Sequence, residues 1–308
     1  MTDWIQRLFG KRKSTAPPEP DPKIDEEDTQ KIPVFEDPEP EDHQRVPARL
    51  QPTQLIVGIG HSVGMQRDHN EDALFTLTTT LVSNSHQVPF GLYIVADGMG
   101  GHQHGELASE VAIRAMAGHL VRSLYSPLFS LPAANPEESI QEIMQKGVQI
   151  AHRAVVKQTP GGGTTLTCVL ILGDQMTIAH VGDSRVYFFY PDGRIEQLTR
   201  DHSLVKRLVE LGQITTDEAA VHPQRNVLYR ALGQGEPVDA EITSARLPES
   251  GHLLICSDGL WGTVEEKALL SFINSEPSPA KACQNMVQAA NNAGGPDNIS
   301  AILIRMPG

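Results

Sequence analysis

Between Thr164 and Thr199 the chain reads "TTLTCVLILGDQMTIAHVGDSRVYFFYPDGRIEQLT". Apolar, β-branched and aromatic runs follow one another here with only two or three turn-forming residues between them. A parallel return needs a long crossover, so runs this close predict antiparallel hairpins turning at 173–174, 182–184 and 191–193. Further strand-like runs lie at "QLIVGIGHSV", "ALFTLTT", "FGLYIVA", "HLLICS" and "ISAILIR". Helical periodicity occupies "GELASEVAIRAMAGHLVRSL", "EESIQEIMQKGVQIAHRAVVKQ", "VEEKALLSFIN" and "SPAKACQNMVQAANNAG". Helices set between blocks of antiparallel strands predict an α+β layered fold, not one alternating strand by strand.

The amino-terminal part has another character. Residues 14–50 are rich in Pro, Glu and Asp and poor in apolar residues, too few to repay the entropy of ordering. Residues 1–52 are therefore expected to be a disordered acidic, Pro-rich segment, and 53–308 a globular domain. The segment opens on a short amphipathic stretch: Trp4, Ile5, Leu8 and Phe9 share a helical face ringed by Arg7, Lys11, Arg12 and Lys13. Residues 4–13 thus read either as a weak contact with an anionic membrane surface or as a charged terminus. Within the globular part, residues 201–233 carry a short helix, a Thr-Thr-Asp-Glu start signal and a basic loop, which fits a small lid or a surface excursion.

A formal net charge of −13 excludes general nucleic-acid binding. An acidic protein still binds phosphate where metal ions supply positive charge. Cys168, Cys256 and Cys283 are odd in number and widely spaced, with no Cys-x-x-Cys, so neither a disulfide framework nor a zinc site is expected. Cys256 reads as core. With no secretory signal and no apolar run near the ~20 residues of a membrane span, a reducing cytoplasm is the expected setting.

The acidic residues need a further explanation. Asp192-Gly193 follows a proline between two strands, and a hairpin turn accounts for it. Asp97-Gly98 and Asp258-Gly259 each follow an apolar strand and precede helical or irregular sequence. Asp297 sits just before the last strand, and Glu71-Asp72 just before an early one. An all-oxygen set of this kind selects Mg²⁺ or Mn²⁺ over zinc or copper. Such carboxylates share a cleft while ionised only when cations neutralise them. A pair of such ions activates water and stabilises charge on a phosphoryl oxygen. Arg67 is the nearby fixed cation suited to grip a phosphate.

"GMQRDHNED", "VADGMGGH", "GGTTLT", "AHVGDSRVY", "LTRDHS", "RALG", "LLICSDGLW" and "GGPDNIS", in this order, resemble the metal-dependent serine/threonine protein phosphatases of type 2C, and the bacterial branch most. The resemblance spans about residues 55 to 305 and leaves the amino-terminal segment uncovered. It implies a four-layer α-β-β-α sandwich of two antiparallel sheets flanked by helices, with a flap at 203–230 bordering the cleft. It implies that Asp97 bridges two Mn²⁺ or Mg²⁺ ions, that the Gly98 carbonyl completes one shell, and that Asp258 and Asp297 hold the other ion. Glu71 and Asp72 match the acidic pair near the second metal, and Asp183 matches a position holding a weaker third ion. Arg67 would bind the substrate phosphate while a water or hydroxide between the ions attacks phosphorus, with no phospho-enzyme.

One position departs from the animal relatives. Where they carry a histidine proposed as general acid, this chain has Met99. His102 matches the histidine of the bacterial motif and is expected to support protonation or substrate contact; His104 is its neighbour, and both also read as exposed loop residues. The implied activity is hydrolysis of phosphoserine and phosphothreonine in proteins, with a serine/threonine kinase as counterpart. Two other readings are a catalytically inactive phosphatase-like module binding phosphoproteins or a kinase, and a two-metal nuclease or small-molecule phosphatase. The intact carboxylates and Arg67 count against the former, and the acidic balance and motif order against the latter.

Overall fold

The computed structural model describes residues 54–83, 86–100, 103–128, 138–235 and 238–306; the amino-terminal segment and His102 lie outside them. One sheet runs β1 (Ile56–Ser62), β11 (Ile299–Arg305), β10 (His252–Cys256), β7 (Arg185–Phe189), β8 (Ile195–Gln197). The other runs β2 (Asp72–Ser83), β3 (His86–Met99), β5 (Leu166–Leu172), β6 (Gln175–Val181), β9 (Glu241–Arg246), with the short β4 (Gly163–Thr164) pairing the end of β3. Every pairing in both sheets is antiparallel.

Side-chain alternation along each strand builds the layers. Tyr93 and Val95 of β3 meet Phe188, Ile255 and Ile302 between the sheets. Their neighbours Leu92, Ile94 and Ala96 point outward onto α1 (Gln103–Leu120) and α2 (Ile140–Gln158), meeting Met116, Leu120, Met144 and Val148. On the other side, Leu254, Cys256 and Leu303 pack against Leu260, Leu269, Ile273, Cys283 and Met286. These belong to α5 (Asp258–Trp261), α6 (Glu266–Ser275) and α7 (Pro279–Asn292). The strands read as unbroken apolar runs because both of their faces are buried. The four-layer α-β-β-α expectation holds, and Cys256 is core.

The flap region contains α3 (Leu204–Glu210) and α4 (Thr216–Ala220). The Thr-Thr-Asp-Glu signal is a capping box: Thr215 accepts from the Glu218 N–H, and Glu218 accepts from the Thr215 N–H. Ser139 and Glu142 do the same for α2, an arrangement worth about 1 kcal/mol.

Three features differ from expectation. The turn at Gly182 does not close a hairpin, because β6 and β7 lie in different sheets and the chain crosses between layers there. Strand β3 continues through Asp97 and Gly98 to Met99, so Asp97 faces Asp72 across a ladder. Strand β9 was not anticipated: it is an edge strand whose residues are mostly exposed, so it lacks the apolar signal of the others.

Candidate metal centre and active site

A cavity of 260 Å³ opens at one end of the sandwich, lined by Arg67, Glu71, Asp97, Gly98, Asp183, Asp258 and Asp297, together with Met99, Thr165, Asn226 and Leu228. Seven of the expected positions thus converge. Asp72 stands behind them, 6% exposed. Its Oδ2 accepts from the Ser257 hydroxyl at 2.7 Å.

The backbones of Asp97 and Glu71 are held by residues far from them in the chain. The Asp97 N–H donates to Thr165 Oγ1 at 2.9 Å. The Asp97 carbonyl accepts from the Thr165 N–H at 2.8 Å and from the Thr164 hydroxyl at 2.9 Å. The "GGTTLT" motif is therefore the brace of Asp97. Gly98 is squeezed beneath: a Cβ there would stand 2.2 Å from the Gly105 carbonyl oxygen and 2.5 Å from that of Glu71. Only glycine fits that approach.

Asn298 braces the other rim. Its side chain accepts from the Glu71 N–H at 2.8 Å and donates to the carbonyls of Val63 and His69 at 2.8 and 3.0 Å. The loop carrying Arg67 is also pinned by Met65 and Gln66, whose N–H groups donate to the Gly295 carbonyl at 2.8 and 3.1 Å. Arg67 Nη2 then donates to Asp297 Oδ2 at 2.7 Å.

Electrostatically the cluster is frustrated. Burial, reinforced by Asp72, Asp258 and Asp183, lifts Asp97 well above the usual carboxylate range. Burial and then Asp258 and Asp201 do the same to Asp183. Burial and then Asp297 and Asp72 push Asp258 up to about 7. Asp72 rises to about 6 through burial, offset in part by bonds from Ser257 and Ser300. Carboxylates crowded and buried in this way stay ionised together only with cations among them, and otherwise share protons.

Do the residues fit divalent ions? Among the described residues no three His, Cys, Asp or Glu side chains form a finished shell; Arg67 and Ser257 take up donor capacity on Asp297 and Asp72. Yet Asp72 Oδ1 and Asp258 Oδ1 are buried without a hydrogen-bond partner, which is costly unless something else satisfies them. The donor set is entirely oxygen. It fits Mn²⁺ or Mg²⁺.

A larger cavity of 570 Å³ lies beside the flap, lined by Arg200, Arg207, Arg230, His202 and Tyr229 among others. Its arginines are already spoken for: Arg200 and Arg207 pair with Glu210, and Arg230 with Asp239. The buried carboxylate oxygens left without a partner lie at or behind the smaller cavity.

The family described as protein phosphatase 2C matches residues 58–299. This chain belongs to the protein phosphatase 2C family. The serine/threonine phosphatase stp of Listeria innocua is 35% identical over 247 residues, covering 78% of this chain and 92% of its own. The solved Mycobacterium tuberculosis serine/threonine phosphatase PstP/Ppp is 30% identical with a TM-score of 0.68, covering 82% of this chain and 99% of its own. A PstP catalytic domain solved with two manganese ions is 29% identical with a TM-score of 0.66, covering 82% and 98%.

Several residues that build the 2C site carry no chemical signal of their own in sequence. Arg185 is gripped by Asp201 through two bonds of 3.0 and 2.7 Å. Its guanidinium lies 3.5 Å from the centre of the Trp261 ring. The Trp261 N–H donates to the Asp183 carbonyl at 3.0 Å. The motifs "VGDSR", "TRDHS" and "SDGLW" are thus one physical unit. Only their co-occurrence could have hinted at it.

Proposed function

We propose that this 2C phosphatase acts through Asp97, Asp258, Asp297, Glu71 and the Gly98 carbonyl as holders of two Mn²⁺ or Mg²⁺ ions, with Asp183 a ligand of a third. Asp72 acts on that centre from behind. When bound, the ions supply the positive charge that both the carboxylates and a phosphate ester require, and they acidify water. Arg67, at the rim and 47% exposed, offers its fork to the substrate phosphate. The reaction is hydrolysis of phosphoserine and phosphothreonine in proteins. The observation that carries this reading is the packed carboxylate cluster around Asp97, with two orphaned oxygens and a single arginine opposite.

An inactive module finds no support, since Arg67 and every proposed ligand reach one place. His102 contributes to protonating the leaving oxygen or contacting substrate, with Met99 in the alternative position. The globular domain spans 53–308, and the segment before it is a tether. The expected counterpart is a serine/threonine kinase acting on the same proteins. Residues 4–13 touch an anionic membrane surface weakly, and the chain works in the cytoplasm, a setting supported by three buried free thiols. Among the described residues no helix is long and apolar enough to cross a membrane.

The test is Mn²⁺-dependent hydrolysis of a phosphothreonine peptide, abolished by Asp97→Asn. No hydrolysis with any divalent metal would sink the reading. For His102→Ala the expected outcome is a changed turnover profile between about pH 6 and 9, around the histidine range; an unchanged one removes His102 from the mechanism. Fractionation of the full chain against one lacking residues 1–14 checks the membrane contact.

A further inference from the structure

The crossing from β6 to β7 presents Asp183 to the cavity, and its shape rests on Gly182. That residue has φ 112°, in the region that favours glycine. A Cβ there would lie 2.6 Å from the Thr165 side chain. Thr165 therefore backs the turn on one side.

His202 grips the turn elsewhere, at two points. Its N–H donates to the Gly182 carbonyl at 2.7 Å. Its ring Nδ1 accepts from the Gly182 N–H at 3.1 Å. Accepting at Nδ1 places the ring proton on Nε2, which faces Glu241 at 3.6 Å. Burial, then His180, Arg230 and Arg200, push His202 down to about 3, so the ring stays neutral and the acceptor is kept.

The same residue holds the end of the flap. The Tyr229 N–H donates to the His202 carbonyl at 2.9 Å. The two rings pack with centroids 5.6 Å apart, and His180 stacks on His202 at 4.9 Å. One residue along, Ser203 bridges Leu228, which lines the metal cavity. His202 itself is 1% exposed and touches no cavity carboxylate in these contacts. It has no role in chemistry directly, but it joins two things that do.

We propose that His202 is a positioning residue that couples the flap to Asp183, so that the seating of Tyr229 and the metal-binding competence of Asp183 are set together. This rests on the reading of Asp183 as a metal ligand. The physical reason is geometric: a carboxylate on a two-point-clamped turn points one way, and releasing one clamp frees it. Removing the ring acceptor also leaves the buried Gly182 N–H unsatisfied.

The experiment is calorimetric titration of Mn²⁺ into the full chain, with thermal unfolding confirming that each variant is folded. Asp183→Asn is expected to lose the weakest ion. His202→Phe keeps a ring but not the acceptor, and is expected to weaken that same ion about tenfold. The tighter ions should stay within roughly twofold. His202→Asn, whose Oδ1 stands near the place of Nδ1, should recover the parent affinity. Tyr229→Ala should weaken the same ion about threefold, since the bonds to Gly182 remain. If His202→Phe binds every ion as the parent does while Asp183→Asn loses one, the inference is overturned. If Asp183→Asn binds like the parent, the ligand reading falls and takes the inference with it. Should His202→Phe fail to fold, Tyr229→Ala decides, and parent-like binding of the weakest ion overturns the coupling.

Discussion

Asp174 and Asp183 both follow a glycine between two strands, yet one belongs to the surface and the other to the acidic cavity. Asp174 closes the β5–β6 hairpin within one sheet, with its side chain 67% exposed and Arg246 at 3.5 Å. Asp183 sits where the chain leaves that sheet for the other, 7% exposed among like charges. Asp192 and Asp258 repeat the contrast. Asp192 caps the β7–β8 turn by accepting from the Arg194 N–H at 3.0 Å. Asp258 starts α5 with an oxygen buried and unpartnered. A turn within one sheet returns the chain to the layer it left. A segment that changes layers or runs from strand to helix crosses the sandwich end, where the cleft opens.

The contrast breaks first, if at all, on activity. Asp258→Asn should lower phosphopeptide hydrolysis by at least about 100-fold, beyond what outer-shell changes cause. Asp192→Asn should leave it within roughly twofold, as for surface sites away from special features. Equal losses in steady-state rates would erase the distinction.

Asp201 tests whether the crossing is held from behind. It is 5% exposed and doubly bonded to Arg185. Asp201→Ala leaves that cation buried and unpaired, so urea unfolding should show a loss of about 3 kcal/mol. A surface-like loss would mean that the Arg185–Trp261 stack suffices.

Metal removal sharpens the electrostatic side. With Asp72 at about 6 and Asp258 at about 7 against an ordinary 3.8, the metal-free fold carries more protons than the unfolded chain between pH 4 and 7. Its stability from these groups is complete below pH 3.8 and is lost as pH rises through 6 to 7. Buried His180, pushed down to about 4, has the opposite sign, losing stability as pH falls below 6.5. It titrates with or without metal, so the difference between unfolding temperatures in Mn²⁺ and in chelator isolates the carboxylates. That difference should widen from pH 5 to 8. A pH-independent difference would contradict the cluster's frustration.

The smallest effect is the control. Asp174→Ala removes an exposed ion pair, so thermal or urea unfolding should register under about 0.5 kcal/mol.

Much of the site was readable because its acidic residues recur beside glycine at the ends of apolar strands, in a distinctive order. Their supports were not. Asn298 serves Glu71 across 227 residues of chain, and Thr165 serves Asp97 across 68. A hydrogen-bond partner at such separation is chosen by the fold, and amides and hydroxyls are too common to announce it. The hairpin expected at Gly182 failed for a related reason: turn chemistry determines that the chain reverses, but not which strand receives it.

By itself, then, the sequence determined antiparallel strands through the short spacing of its apolar runs, helices through their period, and the family through its ordered motifs. Those signals are local, because backbone sterics and side-chain periodicity act over a few residues. Only the tertiary structure decided that the chain changes layers at Gly182, that Asp72 stands behind Asp97 instead of lining the cavity, and that Arg185, Asp201 and Trp261 support Asp183. Those outcomes depend on which buried faces and polar groups find one another across the whole chain, and packing settles that all at once.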